Sequence, residues 1–586
     1  MRARVLLAVL LLAPGAARAQ NAPRAASDRV LAEARLAQRR FEIDRLAGSR
    51  ENDPGYAPCD EEIGRICLHH GEGADWYPGP EDERIVAGRE ALLDALAGAA
   101  AALPDDPWLL GQRVAYLGEA GRWGAADGLA ADACARAPTD DRCHALRGLA
   151  LHELGRFTDA ESEFRLALAR MDSADVRRWN DPEPVLDLAA RSWWGRVPAA
   201  DRARGFARIW ALADPLLVVP GNDALTEYWA RRTMARVRAD ARNGYGMSWG
   251  SDLEQMLLRY GWEIGWERIP PRPMEMGPTN AIGHHHPESR PLLPSAATLA
   301  DPVAADAAAW IPEARQPRSG CAPAYAAVVL PDAGPIAVFP RGDRFVLVGA
   351  YALPEDTTYH AQHDHAARSV VHPAWRGQPT EAGLFAIGVG ADSVTAGVRT
   401  TDGEEGGLML EVPAGDWVGS LEVFAPELRR AGRTRIGLHL EARPPDVPTL
   451  SELLLVESAL GEGAQLEDAA DHARARDWIE AGESLAIAWE LFGFGYRPET
   501  ISYHLSVERA QQGLLGRVGR RLGLLRAPPR QRLEWEEEGP TGPGPVLRSV
   551  EIQLPSVAPG LYVIRLEITT PGRTPLERER RVELRP

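Results

Sequence analysis

Apolar residues recur three and four positions apart through the first part of the chain and every second position through the last part, so two architectures are expected in one chain. Between 222 and 241, Leu225, Tyr228, Trp229, Met234 and Val237 fall among charges at a spacing compatible with one helix. Helices are also expected over 184–194 and 201–213, so a helical block should run from 28 to about 245. Within it, Ala120-Gly121-Arg122-Trp123 with Ala126 returns as Leu154-Gly155-Arg156-Phe157 with Ala160, a period of about 34 residues. Gly148, Phe164, Ala167 and Pro138 fit a repeated helical hairpin. Small residues let two helices approach, an aromatic ring fills the gap between hairpins, and proline ends a helix. A degenerate neighbouring pair is expected around 83–103.

The period then changes. Runs at 336–339, 344–352, 383–389, 393–399, 407–412, 417–424 and 433–440 are separated by Gly, Pro, Asp and Thr clusters, which predicts an antiparallel, immunoglobulin-like sandwich over 323–445. A second β-sandwich is expected over 446–586. There Leu485, Ile487, Trp489 and Leu491 share one strand face, with 503–508 as the hairpin partner of that strand. A last hairpin is expected to join Val550, Ile552 and Leu554 to Tyr562, Ile564, Leu566 and Ile568 through Pro559-Gly560. Within segment 246–322 the part from about 270 to 321, rich in Pro, Ala and His, reads as a linker, and 517–530 as an exposed charged insert. The fold class is therefore multidomain: an all-α helical-repeat N-terminal half and an antiparallel β-sandwich C-terminal half.

The two matching units over 107–171 resemble tetratricopeptide repeats. Further on, Trp210-Ala211-Leu212-Ala213-Asp214-Pro215-Leu216, then Asn222 and Glu227, Trp249-Gly250-Ser251-Asp252, and Leu258-Arg259-Tyr260-Gly261 resemble a family of bacterial exported proteins named for a Gly-Trp-x-Thr-Asp motif. This chain departs from the motif, with Ser248-Trp249 and Ser251-Asp252 in place of Gly-Trp and Thr-Asp, and with Trp262 where the common form has Pro. The family has no defined activity to transfer, so Trp210, Asp214, Asn222, Glu227, Trp249, Asp252, Arg259, Tyr260 and Gly261 are read first as structural. Asp252 is placed to cap a helix beginning at Leu253. Trp249, Trp262 and Trp266 are read as core or interface residues. Arg259 and Glu267 are expected to pair with Glu227 or Asp214.

The amino terminus adds a location. Met1-Arg2-Ala3-Arg4, the apolar run 5–13 and Ala17-Arg18-Ala19 form a secretory signal pattern with cleavage after Ala19, which predicts a periplasmic or secreted protein. No later run approaches the roughly 20 apolar residues of an integral membrane span. A formal charge of −17 disfavours nucleic acid and anionic lipid, whose binding needs Lys and Arg on phosphates, while leaving room for association with the cell envelope. All 66 basic side chains are arginine, so P-loop, protein-kinase and Schiff-base chemistry, each of which needs a lysine, is excluded. In an oxidising compartment Cys59 with Cys67 and Cys134 with Cys143 are the expected disulfides, leaving Cys321 over.

Candidate chemistry is sparse. No Gly-x-Ser-x-Gly, His-Glu-x-x-His or Cys-x-x-Cys motif occurs, and Glu404-Glu405 and Glu536-Glu537-Glu538 read as solvated charge in loops. No cofactor is implied. His360, His363 and His365 have a spacing able to wrap a metal, although in an insert between strands, and His284-His285-His286 lies in the linker. The repeats would offer a concave face lined by Arg113, Tyr116, Arg147 and His152 to a peptide or partner protein. The expected role is an extracytoplasmic protein-interaction or scaffold protein. The alternative is a metal-assisted hydrolase or carbohydrate-binding protein that uses the His-rich insert or a sandwich surface.

Overall fold

The computed structural model describes residues 15–52, 61–68, 79–269, 280–285, 293–310, 323, 325, 326, 328–353, 379–389, 395–401, 403–480, 482–510, 531–553 and 558–585. Residues 1–14 of the expected leader, Cys59, Cys321, the expected insert 517–530, and His360, His363 and His365 lie outside them.

In chain order the first part holds α1 (Gly15–Gly48), β1 (Arg50–Glu51), β2 (Glu61–Ile63), β3 (Ile66–Leu68), α2 (Glu83–Ala102), α3 (Pro107–Glu119), α4 (Trp123–Arg136), α5 (Asp141–Glu153), α6 (Phe157–Leu168) and α7 (Ser173–Trp179). It continues through α8 (Leu188–Arg196), α9 (Arg202–Ala213), α10 (Asp223–Ala239), α11 (Ser251–Tyr260), β4 (Glu263–Ile269) and β5 (Asn280–His285). Aspartates at 82, 106, 140, 172 and 187 accept backbone N–H groups at helix starts, which is why these helices begin where they do.

The chain folds as two compact units, one of 1–185 with 221–290 and one of 186–220 with 291–586. In the first, α3 to α6 form two antiparallel hairpins. Gly148 of α5 faces Phe164 of α6 so closely that an added Cβ would stand 2.8 Å from the ring, so the repeat's glycine is a contact requirement. The disulfide Cys134–Cys143, with Cα atoms 5.3 Å apart, ties α4 to α5 across the turn. Segment 246–322 contains α11, where a helix was expected, then β4, and β5 within the part read as a linker, because Glu263, Trp266 and His284 have buried or half-buried faces; β4 lies between β1 and β5.

The second unit begins with helices, so the helical stretch 28–245 is divided. The C-terminal carbonyls of α9 explain why. Arg435, fully buried, donates to the Leu212 and Asp214 carbonyls at 2.7 Å each, and Arg433 donates to the Pro215 carbonyl at 2.8 Å. Leu216 and Val218 then pack on Phe385, Phe424 and Ala431. After α12 (Ala296–Ala300) come β6 (Val328–Leu330), β7 (Ile336–Arg341), β8 (Arg344–Ala352), β9 (Glu381–Gly388), β10 (Thr395–Thr400), β11 (Glu405–Pro413), β12 (Gly415–Ala425) and β13 (Arg430–Leu440). Sheet β10-β9-β12-β13-β6 faces sheet β11-β8-β7 over a core that includes Leu347, Leu384, Leu421 and Val423.

The last sandwich comprises β14 (Thr449–Leu450), β15 (Leu454–Val456), α13 (Leu466–Asp471), β16 (Trp478–Glu480), β17 (Ser484–Phe492), β18 (Thr500–Arg509), β19 (Gln531–Glu538), β20 (Val546–Gln553), β21 (Gly560–Thr569) and β22 (Leu576–Arg585). One sheet is β14-β17-β15 with β20 on the other side of β17; the opposing sheet is β16-β22-β21-β18-β19. Two expected pairings are therefore corrected. Strand β17 pairs with β20, not with β18, and the chain from β20 to β21 crosses between sheets instead of forming a hairpin. Both β17 and β18 carry an apolar face, and those faces meet across the core through Ile487, Trp489, Tyr503 and Leu505. A second apolar seam joins the two sandwiches, with Phe339, Val346 and Val348 against Leu454, Val456 and Ala486.

Candidate binding sites

Helix α10 occupies the face of the repeats expected to receive a partner. Its Val237 contacts the position of Gly111, its Trp229 ring lies 5.8 Å from Phe164, and Arg236 pairs with Asp141. Gln112 and Trp108 of α3 each donate at 3.1 Å to carbonyls at its C-terminal end, Val237 and Asp240. Asn222 caps the start of α10 by accepting from Leu225 N–H.

Three of the four residues expected to line a groove are engaged inside the unit. Tyr116 is buried, donates to Glu42 at 2.5 Å and accepts from Gln38 at 2.9 Å. Burial raises the Glu42 carboxyl against the opposing pull of Arg45, and burial with the Glu42 charge raises the Tyr116 phenol. Arg147 bridges Asp127 at 3.1 Å and Glu163 at 2.7 Å. His152 is buried, with Nδ1 at 3.0 Å from Thr226 Oγ1 and Nε2 at 3.4 Å from Glu227. Arg113 alone has no acidic partner among the described residues; burial and nearby Arg136 depress its guanidinium.

The structure joins a residue of the repeated hairpins to one of the segment around α10, since His152 meets Glu227. Burial would raise Glu227, but Arg231, at 2.8 Å, and His152 hold it at about 2; burial lifts neighbouring Glu153 to about 7. Burial would lower His152, and its bond to Glu227 together with the charges of Glu227, Glu153 and Asp223 more than reverses this. This quartet is an internal clasp between α5 and α10.

The remaining family-segment residues are also structural. Trp210 and Asp214 are buried in the second unit, while the others belong to the first. The expected pairing of Arg259 and Glu267 with Glu227 or Asp214 is corrected. Arg259 and Tyr260 both bind Glu61 of β2, and Glu267 binds His284 at 3.0 Å. Asp252 lies inside α11, which begins at Ser251 after Gly250 and not at Leu253, and its Oδ1 accepts from the Leu253 N–H at 2.9 Å in the first turn. Its carboxylate grips Arg65 at 2.5 and 2.8 Å, and this holds it well below the usual carboxylate range. Trp249 packs beside Leu253 and Met256, and Gly261 ends α11 at φ 78°, a conformation that favours glycine.

Cys134, Cys143 and His144 have ligand atoms within 4.8 Å of one another, yet both sulfurs are in the disulfide and His144 Nδ1 is 2.7 Å from Glu163. As described, that group offers no thiolate to an ion.

A different site lies on the last sandwich. Strands β19 and β20 edge opposing sheets, and between them is a cleft of 260 Å³ lined by Trp489, Leu533, Trp535, Glu537, Arg548, Ser549 and Val550. Leu533, Trp535 and Glu537 project to it at every second position of β19. Trp535 stacks on Tyr503 with centroids 4.7 Å apart at 3° and lies 6.3 Å from Trp489 at 55°. One oxygen of Glu537, Oε1, accepts from Tyr503 Oη at 2.5 Å and from Arg548 Nε at 2.8 Å. The ion pair remains about 30% exposed, at 27% for Glu537 and 31% for Arg548. Trp489 is 1% exposed, and its indole N–H has no hydrogen-bond partner among the described residues. Glu537 is thus in a strand and bonded, not in a loop as solvated charge; the alternation Leu533, Trp535, Glu537 was the signal available in the sequence.

No family model matches the chain, and no curated protein matches it. Among solved structures, a red sea bream transglutaminase is similar at 10% identity and TM-score 0.14, over 43% of this chain and 31% of that one. A putative membrane anchored protein from Corynebacterium diphtheriae is similar at 12% identity and TM-score 0.14, over 42% of this chain and 56% of that one. Likenesses this slight carry no argument about function. No helix among the described residues is long and apolar enough to cross a membrane.

Proposed function

We propose that this chain is an extracytoplasmic, non-catalytic binding protein whose docking surface is the cleft of its last sandwich, with the tetratricopeptide-like hairpins serving as scaffold. One contrast carries this reading: the repeat face is filled by α10, whereas the cleft between β19 and β20 is open and lined by aromatic rings beside an ion pair. Aromatic walls with a few convergent polar groups are the usual make-up of a ligand pocket. The amino-terminal pattern and the Cys134–Cys143 disulfide support a place outside the reducing cytosol. For a peptide to use the repeat face, α10 and its buried Trp229 would have to leave.

A photo-crosslinking residue placed at Leu533, and separately at Arg113, tests the reading in cell-envelope fractions. Adducts are expected from position 533, competed by excess unlabelled protein and not by a Glu537→Gln competitor. Adducts formed from position 113 alone would return the function to the repeats.

A further inference from the structure

We infer that the cleft between β19 and β20 binds a neutral sugar, one pyranose ring at a time; this rests on the reading of that cleft as the docking surface. Size comes first. At 260 Å³ the space lies just below the roughly 300–1,000 Å³ of pockets that hold drug-sized molecules, so it suits a single ring.

The polar atoms narrow the chemistry. Glu537 Oε1 takes both bonds from Tyr503 and Arg548, which leaves Oε2 as an acceptor without a hydrogen-bond partner among the described residues. Arg548 uses Nε on Glu537 and Nη1 on its neighbour's carbonyl, Leu547 at 3.1 Å, and also bonds the Tyr503 side chain; a guanidinium has five N–H donors, so donor capacity is left over. An acceptor and a donor on one ion pair fit vicinal hydroxyls, since each hydroxyl both donates and accepts.

The apolar part agrees. Half-buried Trp535 and exposed Leu533 offer apolar area to the C–H side of a pyranose, with buried Trp489 behind them, while its hydroxyl rim reaches the ion pair. An aliphatic or aromatic peptide side chain would cover the free acceptor and donor without bonding them, which is unfavourable. An anion gains little, because Glu537 neutralises Arg548 and the whole chain carries −17.

The test titrates the full chain with the methyl glycosides of glucose, galactose, mannose and N-acetylglucosamine, read by saturation-transfer NMR and calorimetry. At least one glycoside is expected to bind saturably with a Kd on the order of 1 mM. Affinity should fall at least about tenfold, a loss of roughly 1.4 kcal/mol, in Glu537→Gln. Trp535→Ala should abolish binding; should that variant unfold, Glu537→Gln and Leu533→Ala still decide the case. Binding unchanged in Glu537→Gln would overturn the assignment, and so would no saturable binding by any of the four. In that last case, adducts persisting from position 533 would show that the cleft takes a protein partner, whereas their loss as well would sink the docking reading itself.

Discussion

The repeat face of the helical unit and the edge of the last sandwich are both grooves between packed elements, yet they end differently. Along the repeats, Tyr116, Arg147 and His152 each meet a partner from the same unit, and the groove between α3, α5 and α6 is taken by α10. Along the sandwich edge, Glu537 and Arg548 satisfy each other with one atom each and keep others in reserve. A concave surface therefore says little about binding until its hydrogen-bonding capacity is counted atom by atom. The helical groove has its partners built in, and the sandwich cleft has spare ones.

The strongest way to break this contrast is to weaken α10. Trp229→Ala removes a buried ring between α10 and α6, and should cost about 3–5 kcal/mol in denaturant unfolding followed by far-UV circular dichroism. A loss under about 1 kcal/mol would mean that α10 is not integral and that the repeat face can open. Next in size, replacing Cys134 and Cys143 together by Ser should cost about 2–3 kcal/mol, because the bridge closes a short loop across the hairpin turn. Equal stability with and without a reductant in the wild type would contradict this.

Titration sharpens the picture of the clasp. Glu153 is lifted from 4.5 to about 7 by burial, so the folded state binds the extra proton and the cost of ionising it appears as pH rises through that range. His152 is also raised in the folded state, so its contribution is present at low pH and lost as pH rises through its folded value. Both signs agree, and the helical unit should lose stability between about pH 5 and pH 8. Glu227, held at about 2, works in another window: its contribution is present above the ordinary carboxylate range and is lost as pH falls toward 2. Glu153→Gln should flatten the upper slope in melts collected across pH. The smallest effect belongs to the cleft, where Glu537→Gln weakens a partly exposed ion pair and should change stability by less than about 1 kcal/mol while removing the competition expected in crosslinking. A large loss of stability there would recast Glu537 as structural.

Much of the architecture was legible because it follows from local rules. The returning Gly-Arg-aromatic units mark hairpins, since close helix approach admits only small residues opposite a ring, as Gly148 and Phe164 show. Runs with period two mark strands, and those assigned to the first sandwich coincide with β7 to β13. Pairing partners in the last sandwich were not legible, because 484–492 and 500–509 have equally apolar faces and local pattern does not say whether such faces meet within a sheet or across a core. The division of the helices was hidden for a related reason: Arg433 and Arg435, which hold the end of α9, lie more than 200 positions further along the chain.

By itself the sequence determined that the repeated hairpins and α10 become helices and that the runs of the first sandwich become strands, that lysine-dependent chemistries are excluded, and that a disulfide between Cys134 and Cys143 was to be expected, because these depend on neighbours along the chain and on composition. Tertiary structure alone decided that the repeat face is filled from within, that His152 meets Glu227, and that Glu537, Arg548 and Trp535 share a cleft. These are contacts between distant positions, set by how faces of equal apolarity are brought together and by which polar atoms then find a partner, and short-range pattern carries no record of either.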